Sequence, residues 1–397
     1  MATRTIGPGQ QHPTISDWIS HLASIDPWDE EQIGELADDV FDELVNFSGF
    51  TPTSAYPCTL RPVAGISHGG TFGAGARIVL AKSYGFLVTV DVPHMTIEDL
   101  VIDNTTTGNN GRGLTYTANG TNGILQRCLI RTSGAHNLSN GIDSTYDDGK
   151  ILNCYVESQS THAGSHAIKA FQYSKDGYVL NCIIKANAGY GLRRLNNSKS
   201  TVANCVVIGS GAGLAYDWPV SSNGDGASSN NASHEGATYL PPGTSPISAD
   251  ISVADGVDFV SPSTMDWSAH STGHLYGAGA DQSAIFTDDL LGRTRSQWDI
   301  SAWGIAVAGT VIDGLEGSLA LVAKAVPVTV AVHVVAARGQ IDLISRMGAL
   351  GIAKVIGTVS GLAALVTQAI VVDGPFARRV NKGMTLFGRL AGIGMRR

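Results

Sequence analysis

A short apolar phrase with cysteine at its centre recurs through the middle of the chain and limits the folds open to it. Four cysteines occupy the same slot of this phrase, Cys128, Cys154, Cys182 and Cys205, and Leu100 occupies it in a fifth copy. The steps between copies are 28, 26, 28 and 23 residues. A period of this size is typical of stacked-repeat proteins, in which each repeat packs only against its neighbours.

A second motif, glycine or alanine followed by an apolar residue, follows each copy of the phrase. Its copies are spaced by 28, 26, 24 and 22 residues and are Gly113-Leu114, Gly141-Ile142, Ala167-Ile168, Gly191-Leu192 and Gly213-Leu214. Two ladders that share one drifting period, with variable loops between them, indicate several strands in each coil. The sequence therefore predicts an all-β protein built on a parallel β-solenoid, because a β-sandwich has no reason to keep such a period.

The cysteines are predicted to be free thiols packed in the core. Successive coils stack roughly 4.8 Å apart, so cysteines on four rungs form a column too long to converge on one metal ion. The chain has no Cys-x-x-Cys pair, and in-register cysteines would have to turn toward each other to form disulfides. We therefore predict no metal site and no cofactor, and a chain that folds in a reducing cytosol.

Charge divides the chain into an acidic body and a basic tail. The net charge is −8, but residues 311–397 carry ten Lys and Arg against four Asp and Glu, whereas the first 310 residues carry sixteen against thirty. This asymmetry suggests two functional parts. Residues 1–7 contain no basic segment followed by an apolar run, so the sequence predicts no secretory signal.

Five segments are predicted along the chain. Residues 1–55 form an N-terminal cap and first strands, with Ser16 as the N-cap of a short helix over residues 17–22. Residues 56–220 form the coils, and residues 221–246, rich in Ser, Gly, Asn and Pro, form a loop. Residues 247–310 end the solenoid, and residues 311–397 form a C-terminal β-rich repeat module.

The C-terminal module has a repeat of its own. Its leucines are spaced by 22, 22 and 21 residues and are Leu321, Leu343, Leu365 and Leu386. Each repeat indicates one β-hairpin or one small coil. A membrane helix over residues 319–337 is an alternative, but Lys324, Pro327 and His333 and the alternation of valines favour strands. Because exposed apolar strands with so little charge aggregate, we predict that these leucines pack in an assembly; an independent β domain is the other alternative.

Polar side chains near the glycine–apolar motif are the candidates for catalysis. The candidates are Asp143 and Asp147 on one coil, Lys169 on the next and Arg193 on the third, with Tyr146, Asp148, His162, His166, Arg194, Asp217 and Trp218 nearby. Paired carboxylates would suit glycoside hydrolysis, and Asp with Arg or Lys and Ca²⁺ would suit elimination from a uronate. The sequence favours the plainer alternative, in which these residues belong to turns and a solvated face.

An apolar column is the stronger functional prediction. If the Cys slot points inward, the next residue points outward, because strand side chains alternate. This outward column is apolar on every rung and consists of Val101, Leu129, Tyr155, Ile183 and Val206, whereas the preceding column is polar and consists of Asp99, Arg127, Asn153, Asn181 and Asn204. Stacked apolar side chains on a surface usually mark an interface, so we predict a partner here. Inverted strand parity at a bend, or a loop such as 221–246 lying over the column, are the alternatives.

Both ends of the first 305 residues resemble a known family. The opening Arg4-Thr5-Ile6-Gly7-Pro8-Gly9 and Thr14-Ile15-Ser16-Asp17-Trp18, and the later Leu291-Gly292-Arg293-Thr294-Arg295 and Trp298-Asp299-Ile300-Ser301-Ala302, resemble phrases of the right-handed parallel β-helix proteins of tailed bacteriophages and some bacteria. Ser301 departs from the glycine usual there. The resemblance implies a right-handed parallel β-helix, but it implies little about activity, since the family holds adhesins, spikes, lyases and structural parts.

These observations predict a structural or adhesive component of a phage-like virion, namely a spike, fibre or capsid decoration protein made in the host cytoplasm. The expected partners are other copies of the chain, for example in a trimer, other virion proteins and host surface polysaccharide. Nucleic acid and membrane insertion are not expected. The alternative is an enzyme, a polysaccharide lyase or glycoside hydrolase that acts on the outer face of the β-helix. A bacterial surface protein is a third interpretation, and it would need an export signal.

Overall fold

The computed structural model describes two compact units, Met1–Ala306 and Val307–Arg397. The described residues are 1–81, 85–106, 111–136, 139–144, 149–170, 177–194, 200–209, 215–217, 228–234, 243–304, 312–313, 319–324, 334–335 and 341–346.

Three parallel sheets of 8, 8 and 7 strands make up the body of the first unit. The first sheet contains Ala2–Ile6, Gln32–Leu36, Cys58–Pro62, Met95–Glu98, Ile124–Gln126, Lys150–Leu152, Tyr178–Leu180 and Thr201–Ala203. The second contains Val40–Phe41, Arg77–Val79, Val101–Asn104, Leu129–Thr132, Tyr155–Ser158, Ile183–Ala186, Val206–Gly209 and Ala232–Ser233. The third contains Val45–Phe47, Gly85–Val90, Gly111–Tyr116, Ile142–Ser144, His166–Ala170, Tyr190–Arg194 and Tyr216–Asp217. The chain passes from sheet to sheet in each coil, which confirms the predicted right-handed parallel β-helix.

The apolar pattern of each cysteine phrase is that of a single strand. In the structure, each phrase instead crosses a corner between the first and second sheets. The residue before each Cys slot has a left-handed backbone, with φ of 52° at Arg127, 50° at Asn153 and 51° at Asn181. This bend keeps the predicted parity, because the cysteines point into the core. Every cysteine of the chain is buried and free.

A helix and early strands cover the start of the solenoid. The helix spans Ile15–Ile25 and buries Trp18 and Leu22. Its N-cap is Thr14, whose Oγ1 accepts a hydrogen bond from the backbone N–H of Asp17 at 3.0 Å, so the predicted cap at Ser16 is wrong. Ser16 lies inside the helix, where its hydroxyl donates to Glu43 instead.

Two predictions about the end of the solenoid are corrected. Ala232–Ser233 lies within the predicted loop but extends the second sheet by pairing with Val206–Val207. Residues 247–304, here called the covering segment, begin with a parallel bridge from Ile247 to Ala232 and then lie against the outside of earlier coils. The segment contains an antiparallel pair, Phe259–Ser261 and Asp266–Ala269, joined through the 3₁₀ helix Pro262–Thr264.

The second unit contains the short strands Ile312–Asp313, Leu319–Lys324, Val334–Val335 and Ile341–Arg346. Ile312 pairs with Val334, and Leu321 pairs with Leu343, both in parallel. Parallel pairing across one 22-residue repeat matches one coil per repeat and excludes a hairpin for this pair of strands. Leu365 and Leu386 lie outside the described residues. Within the described parts of the chain, no helix has the length and apolar character needed to cross a bilayer.

Candidate functional site

The predicted apolar interface column is buried under the chain's own covering segment. Val101, Leu129, Tyr155, Ile183 and Val206 point outward from the second sheet as predicted, but each is at most 1% exposed. They form one cluster with apolar residues of the covering segment, among them Phe259, Trp267, Leu290, Ile300 and Trp303. The column is therefore an intramolecular interface, and the prediction that it binds another molecule is wrong.

The polar column beside it attaches the covering segment through side-chain hydrogen bonds. Asn204 donates to the carbonyl of Ala280 at 2.7 Å and accepts from its N–H at 2.7 Å. Arg127 donates to Asp288 at 2.6 Å. Asn153 and Asn181 donate to the covering segment's carbonyls in the same way. Apolar packing and this polar column together cover the apolar column of the second sheet, which is therefore unavailable as a ligand site.

The outer face of the third sheet carries the candidate site. Parallel register places Thr89, Thr115, Asp143, Lys169 and Arg193 on consecutive coils. Their neighbours Leu114, Ile142, Ile168 and Leu192 belong to the core, so alternation directs this column outward. Asp217 is in register with Arg193 on the next coil, although its side chain lies outside the description. The structure thus brings the candidates Asp143, Lys169 and Arg193 onto adjacent rungs.

Asp143 and Lys169 form an ion pair that is only partly open to solvent. Lys169 Nζ lies 3.4 Å from Asp143 Oδ1, and the two side chains are 22% and 8% exposed. Asn140 Nδ2 donates to Asp143 Oδ2 at 3.2 Å. Among the described residues, Oδ1 accepts no hydrogen bond. That oxygen is buried, and its ion-pair partner is Lys169 Nζ.

A second row lies three residues before the first and extends the network to Arg193. Asn140 accepts hydrogen bonds from the backbone N–H of His166 at 3.2 Å, and its Oδ1 lies 3.2 Å from His166 Nδ1. Arg193 Nη1 lies 3.3 Å from His166 Nε2. The His166 ring stacks on Tyr190 with centroids 5.2 Å apart. Polar contacts therefore connect Asp143 to Arg193 through two buried side chains.

His166 is held neutral at this site. Burial, followed by the positive charges of Arg193 and Lys169, lowers the pKa of His166 to about 3. All three effects disfavour the imidazolium form. Protonation of His166 therefore contributes no positive charge near neutral pH, and Lys169 and Arg193 supply the local positive charge.

Sequence reasoning identified four of the six residues in this network. Asn140 and Tyr190 were missed. Like His166, each lies three residues before a residue of the outward column that contains Asp143, Lys169 and Arg193. The three residues therefore share one register position on successive coils. His162 lies outside the hydrogen-bond network and stacks on His136 with ring centroids 6.0 Å apart. Asp147, Tyr146, Asp148 and Trp218 are outside the described residues, as is the side chain of Arg194. Within the described ranges, no group of three or more metal-ligating side chains is arranged to hold an ion.

No family model and no curated protein matches the chain. Among solved structures, pectate lyase Pel9A is 12% identical, with a TM-score of 0.43 over 77% of this chain and 97% of that chain. A pectin methylesterase from Aspergillus niger is 15% identical, with a TM-score of 0.40 over 71% and 97%. Pectin methylesterase PemA from Erwinia chrysanthemi is 11% identical, with a TM-score of 0.37 over 58% and 70%. Similarity this low concerns the fold, and it carries no argument about activity.

Proposed function

We propose that this chain acts on a polysaccharide, binding an anionic glycan along the outer face of the third sheet. The observation that carries the proposal is the placement of two cations, Lys169 and Arg193, on adjacent rungs. Rungs are about 4.8 Å apart, so one carboxylate can contact both side chains. Two cations at this spacing suit an anionic ligand.

Elimination from a uronate is the reaction that these residues suit best. In that reaction, a base takes the proton from the carbon beside the carboxylate, and a carbon–carbon double bond forms as the bond from the neighbouring carbon to the leaving sugar oxygen breaks. The leaving oxygen keeps the electron pair of that bond and takes a proton from water. Lys169 and Arg193 would neutralise the substrate carboxylate as negative charge develops, and the Asp143 carboxylate would receive the proton. Glycoside hydrolysis fits the described residues less well, because it needs two carboxylates within about 10 Å. Asp217 is three rungs from Asp143, or roughly 14 Å along the column.

Binding and product analysis test this proposal. We expect the purified protein to bind polygalacturonate or alginate in a salt-sensitive manner and to bind neutral dextran weakly. The double variant Lys169→Ala/Arg193→Ala should lose most of this binding, whereas Arg61→Ala, which removes a partly exposed cation of the first sheet, should keep it. Absorbance of unsaturated uronate products would identify elimination. Equal affinity for anionic and neutral glycans would overturn the proposal.

We also propose that the C-terminal unit assembles with further copies, as in a spike or decoration protein of a phage-like particle. This proposal is supported by the apolar, weakly charged repeat of residues 311–397, whose strands would aggregate if left exposed, and by the resemblance of residues 1–305 to the phage proteins. Light scattering on the full chain and on a 1–310 truncation tests it. An oligomer that becomes monomeric on truncation is expected, and a monomer in both cases would contradict the assembly role.

A further inference from the structure

The orientation of Asn140 determines the hydrogen-bond roles of its neighbours. A backbone N–H can only donate, and that of His166 points at Asn140 Oδ1. Oδ1 of Asn140 is therefore the amide oxygen, and Nδ2 faces Asp143, whose carboxylate can only accept. Both contacts require the same orientation of the Asn140 amide. Exchanging its oxygen and nitrogen would break both hydrogen bonds.

The tautomer of His166 follows from this orientation. Because Asn140 Oδ1 is an acceptor, His166 Nδ1 must carry the hydrogen that bridges their 3.2 Å contact. Nε2 is then the unprotonated nitrogen of a neutral imidazole and accepts from Arg193 Nη1 at 3.3 Å. A protonated ring would place two donors face to face at this contact. In each of these contacts, one atom is therefore the hydrogen-bond donor and its neighbour is the acceptor.

We propose that His166, as the Nδ1–H tautomer, is a positioning residue that aims the Arg193 guanidinium at the carboxylate of an anionic sugar. The inference rests on the proposed function and adds a specificity determinant to the same site. Stacking on Tyr190 fixes the plane of the imidazole, and Asn140 fixes its rotation about the ring axis. Arginine has a long side chain with many rotamers, so a fixed acceptor for one nitrogen reduces the entropy lost when the guanidinium binds a ligand.

The charged and polar groups that face His166 make its neutrality a condition for this role. Arg193 lies on the neighbouring coil, Lys169 lies on the same strand, and Asp143 is reached through Asn140. Tyr190 covers one face of the ring. A proton gained by His166 would repel Arg193 and remove the acceptor that faces Arg193 Nη1, so positioning by His166 would fail in the protonated state.

Two measurements on the full chain test the inference. Imidazole ¹⁵N spectra, assigned by the resonance lost in His166→Gln, should show a protonated Nδ1 and an unprotonated Nε2 that do not change between about pH 5 and pH 8. An Nε2–H tautomer, or titration within that range, would overturn it.

Affinity for polygalacturonate supplies the second measurement. His166→Ala removes the acceptor and should weaken binding about tenfold, whereas the Gln amide can donate to Asn140 and accept from Arg193, so His166→Gln should stay within about threefold of the wild type. Failure of the wild-type protein to bind would overturn the proposed function. Binding that His166→Ala does not weaken would overturn the positioning role alone.

Discussion

Asn204 and Ala280 exchange a pair of hydrogen bonds in which the side-chain amide of Asn204 takes the part of a neighbouring strand. Asn204 Nδ2 donates to the carbonyl of Ala280, and the Ala280 N–H donates to Asn204 Oδ1, both at 2.7 Å. Asn204 itself has a left-handed backbone with φ of 55°. Asparagine suits this position for two reasons. It tolerates the left-handed conformation, and its amide offers both a donor and an acceptor.

Replacing this asparagine should loosen the covering segment. Asn204→Ala removes both hydrogen bonds, together with a third from Asn204 Nδ2 to Asn181 Oδ1 at 3.0 Å, and adds left-handed strain. We therefore expect a loss of about 2–4 kcal/mol in the free energy of unfolding. Asn122→Ala is a matched control, because Asn122 is exposed and has φ of 55°. It should cost only the strain, about 1–2 kcal/mol. Urea denaturation of both variants measures the difference, and equal losses would contradict the role of the paired bonds.

Tyr155 tests whether the apolar column serves stability or assembly. Its ring lies 5.6 Å from that of Trp267 and 5.9 Å from that of Trp303. Tyr155→Ala should lower the free energy of unfolding by about 3–5 kcal/mol, as for other buried aromatic side chains. Tyr155→Leu should recover part of the loss. Light scattering should show the same molar mass for all three proteins, and a change in oligomeric state would instead favour an intermolecular contact.

The cysteines should be chemically silent in the folded protein. Burial raises the pKa of Cys128, Cys154 and Cys182 well above the ordinary value for a thiol. The thiolate is the reactive form. Because all five cysteines are also buried, a thiol reagent should label none of them under native conditions and all of them in denaturant. Fast labelling of one or more cysteines in native buffer would show that the core opens locally.

Asp143 should oppose anion binding and yet be required for elimination. Asp143→Asn removes the charge that balances Lys169, so affinity for polygalacturonate should rise about fivefold at low salt, which corresponds to about 1 kcal/mol for a partly shielded pair. If Asp143 takes the proton, the same variant should make no unsaturated product. Asp250→Asn, an exposed carboxylate of the covering segment, serves as the control. Unchanged turnover in Asp143→Asn would exclude Asp143 as the base.

His166 should make the protein less stable in acid. Its pKa is about 3 in the folded chain and about 6.5 in the unfolded chain. Between these values the unfolded chain binds a proton that the folded chain does not, so stability falls as pH decreases through this window. The contribution approaches about 1.4 kcal/mol per pH unit. His166→Gln removes this contribution, and urea titrations from about pH 7 to pH 4.5 should give it a shallower slope than the wild type. Parallel slopes would contradict a neutral, buried His166.

Repeat spacing allowed most of the solenoid to be predicted, because each coil must place one residue at each register position. The inward cysteines and the outward Tyr155 follow from alternation along a strand. The fifth copy of the second motif was an exception. Leu192 pairs with Tyr216 rather than with Leu214, since the last interval is longer than the repeat predicted.

The candidate site was predicted only in part, because one of its two rows of side chains is charged and the other is mostly uncharged. Asp143, Lys169 and Arg193 attracted notice by charge, whereas Asn140 and Tyr190 carry no charge and gain their roles from neighbours on other coils. The sequence does show that Asn140, His166 and Tyr190 each lie three residues before a residue of the charged column. It does not show that these side chains form a network, because that depends on contacts such as the one between His166 and Arg193, which are 27 positions apart.

The sequence by itself determined the repeating coil, the inward cysteine column and the outward apolar column, because these depend on short-range alternation and a regular period. Only the tertiary structure decided what covers that apolar column. Residues 247–304 have no repeat and little regular structure, so no local pattern shows that Trp267 and Trp303 return to Tyr155. Their position follows from the burial of apolar area and the pairing of Asn204 with Ala280, contacts between segments far apart in the chain.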